Sequence, residues 1–114
     1  MGLRQLMMVG LLMMSGTAWA STQQEIAHLL DYVANTDCQY ERNSTLHSGK
    51  EAVAHIEKKY HYFRKKVTTA EEFISYAASQ SLMSGSVYRV HCPGKPTQHS
   101  QQWLLDELAA YRAK

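Results

Sequence analysis

The fold is decided by the stretch Val87-Tyr88-Arg89-Val90-His91-Cys92, which is the clearest strand in the sequence. Its β-branched and aromatic residues are typical of a strand. The alternation of side chains along a strand places Arg89 and His91 on the same face. Pro93-Gly94-Lys95-Pro96 follows at once and ends the strand. A small sheet built around this segment is therefore the starting point for the rest of the chain.

The N-terminal residues have the features of a secretory signal peptide. Arg4 is the only charged residue before the apolar run at 6–14, which is too short to cross a bilayer as a stable helix. Ala18-Trp19-Ala20 then supplies small residues at the two positions that a signal peptidase reads. We expect cleavage after Ala20 and export to the periplasm or the medium, with a retained N-terminal anchor as the alternative. No later apolar stretch predicts a transmembrane segment.

The remaining chain, residues 21–114, is short enough to be a single small domain. The whole sequence has 12 basic and 10 acidic residues, and Arg4 is the only charged residue in the predicted signal peptide. The domain is therefore almost neutral, and this balance gives no reason to expect a nucleic-acid partner.

The two cysteines, Cys38 and Cys92, both belong to the predicted exported domain. An even number of cysteines in an oxidising compartment predicts one disulfide bond. A redox pair is usually separated by two residues, and a structural metal site needs four ligands. Neither pattern is present, and the six histidines are scattered along the chain. We therefore expect no metal and no cofactor.

Four amphipathic helices are predicted, three of which begin at a capping box. These boxes pair Thr22 with Glu25, Ser48 with Glu51, and either Thr68 with Glu71 or Thr69 with Glu72. The second helix is expected to end near Lys66, and the last to cover residues 101–112. A short hairpin around Tyr40 adds to the strand at 87–92. The sequence thus predicts an α+β fold with about four short helices packed on an antiparallel sheet of about three strands.

A basic run at 58–66 contains five cationic residues and four side chains with rings. Such a run can bind an anionic surface, for example a lipid headgroup, a glycan or an acidic partner. The favoured interpretation is a solvated helix C-terminus, where cations interact well with the helix dipole. We expect Tyr60 and Phe63 to be buried and the cations to form an exposed rim, consisting of Lys58, Lys59, Arg64, Lys65 and Lys66.

Short segments across the predicted domain also resemble one known family. They are Glu41-Arg42-Asn43, then Ser48, Ala52, His55, Lys59 and Tyr60, then Thr69-Ala70-Glu71-Glu72-Phe73-Ile74 and Ala77-Ala78-Ser79, then Ser84-Gly85, Tyr88, Val90 and Cys92-Pro93-Gly94. The sequence resembles the YfeK-like family of small exported bacterial proteins, a domain of unknown function. The resemblance implies a single exported domain and brings no established activity. Some relatives lack the cysteines, which implies that the bridge stabilises the fold and is not the activity.

Within that pattern, seven polar or half-polar residues are not required by a core and form the candidate binding site. They are Arg42, Asn43, His55, Lys59, Ser81, Ser84 and Tyr88. His55 and Lys59 are one helical turn apart and can face the same way. The favoured interpretation is a non-catalytic envelope module that binds a partner protein, a glycan or an anionic headgroup.

The alternative interpretation is a small envelope hydrolase or transferase that uses His55 with a hydroxyl from the loop of Ser81 and Ser84. No nucleophile-elbow motif supports it. An enzyme would show a concave pocket with a hydroxyl within hydrogen-bond reach of His55.

Overall fold

A computed structural model describes residues 20–114, so the predicted signal peptide lies outside the described residues except for Ala20. The elements, in chain order, are α1 (Thr22–Ala34), β1 (Gln39–Arg42), β2 (Thr45–His47), α2 (Gly49–Phe63), a 3-10 turn (Arg64–Lys66), α3 (Ala70–Ala77), β3 (Arg89–His91), β4 (Gln98–His99) and α4 (Ser100–Arg112). The α+β prediction is confirmed, with four strands in place of about three. The additional strand, β4, has only two residues, which is too short to give a periodic pattern.

Two of the predicted capping boxes are confirmed, at Ser48 and at Thr69. The box predicted for α1 is wrong, because Ser21 caps this helix together with Gln24. The Ser21 hydroxyl accepts from the backbone N–H of Gln24 at 3.0 Å, and the Gln24 side chain accepts from the N–H of Ser21 at 2.8 Å. Glu25 is unavailable for capping because it is buried and binds Arg112 of α4.

The four strands form one antiparallel sheet in the order β2-β1-β3-β4. In the central pair, Gln39 lies opposite His91 and Tyr40 opposite Val90. Cys38 and Cys92 flank this pair, and their Cα atoms are 4.2 Å apart in a disulfide. The predicted bridge is therefore confirmed, and it joins β1 to β3 at the middle of the sheet.

The core lies between one face of the sheet and the four helices. Strand alternation points Tyr40 and Val90 into it, where both are buried. They pack with residues from all four helices, among them Leu29, Val33, Ile56, Phe73, Ile74, Trp103, Leu104 and Leu108. Tyr40 keeps its hydroxyl satisfied by a 2.7 Å hydrogen bond to the buried Ser100 hydroxyl.

The opposite face of the sheet is polar. Arg89 and His91 share this face, as the alternation predicts, and both reach Glu41 on β1. Within residues 20–114, no helix combines the length and the apolar character needed to cross a bilayer.

Candidate functional site

A small cavity of about 20 Å³, partly open to solvent, lies between the β1–β2 hairpin and the first half of α2. Its lining residues are Tyr40, Arg42, His47, Glu51, Ala52, His55, Ile56 and Tyr88. The aromatic and aliphatic members are buried, whereas the charged and imidazole side chains are partly or fully exposed. The cavity therefore has an apolar inner wall and a polar entrance.

Regular secondary structure aligns the side chains of this cavity. Tyr40 and Arg42 are two residues apart on β1 and so point to the same face. His47 lies opposite Tyr40 in the hairpin register. On α2, Glu51 and His55 are one turn apart and share a side of the helix. The hairpin thus faces the first turns of α2.

Behind the cavity, the Tyr88 hydroxyl contacts two basic side chains from successive turns of α2. Its distance to His55 Nε2 is 3.1 Å and its distance to Lys59 Nζ is 3.2 Å. Lys59 also donates to the backbone carbonyl of Gln80, and its Nζ lies 4.9 Å from the centroid of the Tyr88 ring. Lys59 and Tyr88 are both buried, with exposed fractions of 6% and 2%. One buried cluster therefore joins α2 to the segment before β3.

Protonation in this cluster follows from its contacts. Burial, with the nearby Arg42 charge, lowers the pKa of Lys59 to about 8. At neutral pH this lysine is still mostly charged, so it donates to the Tyr88 oxygen. Burial raises the pKa of Tyr88, so the hydroxyl keeps its proton and can donate it to His55 Nε2 while its oxygen accepts from Lys59.

Burial and neighbouring cations both disfavour the protonated form of His55. Its pKa is lowered to about 4, first by burial and then by the charges of Arg42, Lys59, Lys58 and His47. His55 is therefore a neutral imidazole at neutral pH. We assign the ring proton to Nδ1, since this tautomer lets Nε2 accept from the Tyr88 hydroxyl while Lys59 donates to the same oxygen. In the described part of the chain, Nδ1 has no protein partner and remains a hydrogen-bond donor.

Arg42 is the second unused donor of the cavity. Two of the other arginines lie beside carboxylates, Arg89 of β3 beside Glu41 and Arg112 of α4 beside Glu25. The half-buried Arg42 guanidinium has no carboxylate within 4 Å and no hydrogen bond among residues 20–114. Glu51, the acidic residue that lines the cavity, accepts from the N–H of Ser48 in the helix cap and lies 3.7 Å from His47 Nδ1.

The seven predicted site residues fall into two groups. The cavity and the cluster behind it contain Arg42, His55, Lys59 and Tyr88. The other three, Asn43, Ser81 and Ser84, connect the loop before β3 to the hairpin turn. The Ser84 hydroxyl donates to Asn43 Oδ1 at 2.6 Å, and the Ser84 N–H donates to Ser81 Oγ at 3.4 Å. Asn43 adopts a left-handed conformation with φ of 52°.

The hydroxyl within hydrogen-bond reach of His55 is therefore that of Tyr88. In the described residues, the hydroxyls of Ser81 and Ser84 make no hydrogen bond to His55. The Ser81 hydroxyl accepts from the Ser84 N–H, and the Ser84 hydroxyl donates to Asn43 in the hairpin turn.

The basic run at the end of α2 differs from its prediction at one residue. Lys59 was expected in the exposed rim and this is wrong, because the Gln80 carbonyl and the Tyr88 hydroxyl hold its ammonium in the interior. The other four cations are exposed as predicted, namely Lys58, Arg64, Lys65 and Lys66. Tyr60 and Phe63 were expected to be largely buried and are half-buried, since they lie at the margin of the core.

Of the lining residues that carry polar groups, sequence reasoning missed three, namely Tyr40, His47 and Glu51. Two signals point to them in retrospect: Tyr40 is two residues from Arg42 on one strand, and Glu51 is one turn from His55 on one helix. His47 has no such local signal, because it reaches the cavity through hairpin pairing. Among residues 20–114, no group of three histidine, cysteine or carboxylate side chains is placed to hold a metal ion.

The fold and the cavity together define a class of protein, a small disulfide-bridged α+β domain with hydrogen-bond donors at the entrance of a cavity. A family of unknown function, DUF5329, matches residues 20–112, and the chain belongs to this family. One relative is the uncharacterized protein YfeK of Salmonella typhimurium (strain LT2), which is 34% identical over 82 residues covering 68% of each chain. The resemblance to YfeK-like proteins is thus confirmed. No solved structure matches the chain.

Proposed function

We propose that the protein is an exported, non-catalytic module of the cell envelope that binds a small anionic group in the cavity between the β1–β2 hairpin and α2. The observation that carries this proposal is the half-buried Arg42 guanidinium, which lines the cavity without an anionic partner in the described chain. An arginine in that position is suited to a carboxylate, phosphate or sulfate, because its planar donors match two oxygens at once.

His55 supports binding and not proton abstraction. A general base needs a free ring nitrogen that accepts a proton, but Nε2 already accepts from Tyr88. The remaining nitrogen, Nδ1, carries hydrogen and donates. Arg42 and His55 therefore both offer hydrogen-bond donors, which is what an anion requires.

The size and the lining of the cavity limit the ligand. The cavity has a volume of about 20 Å³, which is room for about one water-sized group. The inner wall formed by Tyr40, Ala52 and Ile56 is apolar. These properties favour a small acidic group at the end of a larger molecule, such as an acidic sugar of a glycan, a headgroup or a partner's carboxylate.

Export is the second part of the proposal. It is supported by the N-terminal residues 1–20, with their single basic residue, apolar run and Ala-Trp-Ala ending. The bridge between Cys38 and Cys92 is compatible with it, since disulfides persist in oxidising compartments. Determining the N-terminus of the protein recovered from an envelope fraction tests it, and cleavage after Ala20 is the expected result.

The binding proposal is tested by titrating the full chain, as processed by the cell, with acetate, inorganic phosphate and galacturonate while recording amide chemical shifts. We expect millimolar binding of at least one of them, and a loss of about ten-fold in Arg42→Gln because a charge-assisted hydrogen-bond pair is removed. Arg89→Gln is the matched control, since it removes the same charge from the outer face of the same sheet. Equal weakening in both variants, or shifts that avoid the cavity, would contradict the proposal.

A second candidate is a small hydrolase or transferase that uses His55. It is favoured by one observation, the hydroxyl of Tyr88 at 3.1 Å from His55 Nε2 beside the ammonium of Lys59. Against it, Tyr88 is only 2% exposed and keeps its proton. Hydrolysis of p-nitrophenyl acetate that disappears in both His55→Gln and Tyr88→Phe would establish the enzyme, whereas equal background rates in all three proteins would remove it.

A further inference from the structure

The exposed end of α2 carries aromatic and basic side chains that the cavity does not use. We propose that this surface, the aromatic–basic patch, docks the protein on an anionic membrane. The patch consists of Tyr62, Phe63 and Tyr76 with the cations Lys58, Arg64, Lys65 and Lys66.

The aromatic part of the patch is built on two packed helices. The Phe63 ring contacts Tyr62 edge-on at a centroid distance of 4.9 Å and Tyr76 of α3 at 5.1 Å. Phe63 is half-buried, whereas Tyr62 is 76% exposed and Tyr76 is 37% exposed. Tyrosine has an apolar ring and a polar hydroxyl, which suits the boundary between lipid and water.

The cations of the patch are not neutralised by the protein. Lys58 precedes Tyr62 by one helical turn, and the 3-10 turn Arg64–Lys66 continues directly from Phe63. Within residues 20–114, none of these four cations lies within 4 Å of a carboxylate. Among nearby acids, Glu72 is occupied by the backbone and hydroxyl of Thr68.

The charges of the aromatic–basic patch therefore favour an anionic membrane as its partner. Four unpaired cations around exposed aromatic rings suit a surface of acidic headgroups better than an apolar partner protein. Docking through the patch leaves the cavity accessible to a ligand, because the cavity lies by the first turns of α2 and the patch lies at the opposite end of this helix. The proposal does not depend on anion binding in the cavity.

Vesicle co-sedimentation tests the docking, with the full chain as processed by the cell and its N-terminus verified by mass. The vesicles are phosphatidylcholine alone or phosphatidylcholine with one third phosphatidylglycerol, each at about 0.05 M and about 0.5 M salt. We expect binding only to the anionic vesicles, and its loss at high salt. Lys65→Gln with Lys66→Gln should weaken binding about twenty-five-fold, since each cation at the surface contributes about five-fold.

The matched control is Lys95→Gln with Lys114→Gln, which lowers the net charge equally at exposed positions outside the patch. It should change binding less than about three-fold. Tyr62→Ser should weaken binding several-fold without unfolding the protein, because its side chain is mostly exposed. The proposal would be overturned if the two double variants lost binding equally, or if neutral vesicles bound the protein as well as anionic vesicles did. It would also be overturned if the protein bound no vesicles at low salt.

Discussion

Replacing Cys38 and Cys92 with serine removes the covalent link between β1 and β3. The bridge closes a loop with a sequence separation of 54 residues. In the chain-entropy description, a loop of this length stabilises the folded state by about 4 kcal/mol, because the crosslink restricts the unfolded chain. A domain of this size has a free energy of unfolding of about 5–14 kcal/mol, so the bridge supplies a large part of it.

The assay is urea unfolding followed by circular dichroism. With an m-value of about 1.3 kcal/mol per molar urea, the double variant should unfold at a midpoint about 3 M lower than the bridged protein. It should nevertheless keep the folded spectrum at low urea, because the core formed by Tyr40, Val90 and the helices is unchanged.

The matched comparison is the unsubstituted protein with its disulfide reduced, which should unfold at the same midpoint as the double variant. A midpoint change below about 0.5 M would refute the reasoning, since the free chain would then already be restricted without the bridge. Different midpoints for the reduced protein and the double variant would show that the serines, and not the lost crosslink, are responsible.

Three further predictions concern single side chains. Arg112→Gln should lower the free energy of unfolding, measured in urea, by about 2 kcal/mol, because the nearly buried Glu25 loses two hydrogen bonds. The control variant Lys114→Gln should leave the free energy of unfolding unchanged. Tyr88→Phe should cost about 1–2 kcal/mol in the same assay, because the buried Lys59 loses one acceptor. The folded state lowers the pKa of His55 from its ordinary 6.5 to about 4, so the unfolded chain binds more protons between these values and stability should fall as the pH decreases through this window. A stability profile from pH 7 to pH 4 should be flatter in His55→Gln, and an identical slope in both proteins would contradict this assignment.

Features fixed by neighbouring residues were predictable from the sequence. The caps at Ser48 and Thr69 each need only a carboxylate three residues later. The same rule failed at Thr22 because Glu25 has a stronger partner in Arg112, 87 residues away. Local rules therefore hold until a distant side chain competes for the same group.

Features that depend on tertiary contacts were not predictable in this way. Helical periodicity gave no reason to bury Lys59, whose ammonium is held by a carbonyl 21 residues away. The two-residue strand β4 exists only because β3 offers it a pairing edge. The resemblance named Arg42, His55, Lys59 and Tyr88 as candidates. Only the fold shows that Arg42, His55 and Tyr88 line one cavity and that Lys59 contacts Tyr88 behind it.

The titration of the His55 ring protons by NMR, with and without added acetate or phosphate, tests the central claim most directly. We expect a pKa of about 4 for His55 in the free protein and a rise of this pKa when either anion is added, since an anion beside Arg42 favours the charged imidazole. In Arg42→Gln the anions should cause little change. A His55 that titrates near 6.5 and does not respond to anions in the unsubstituted protein would contradict the account.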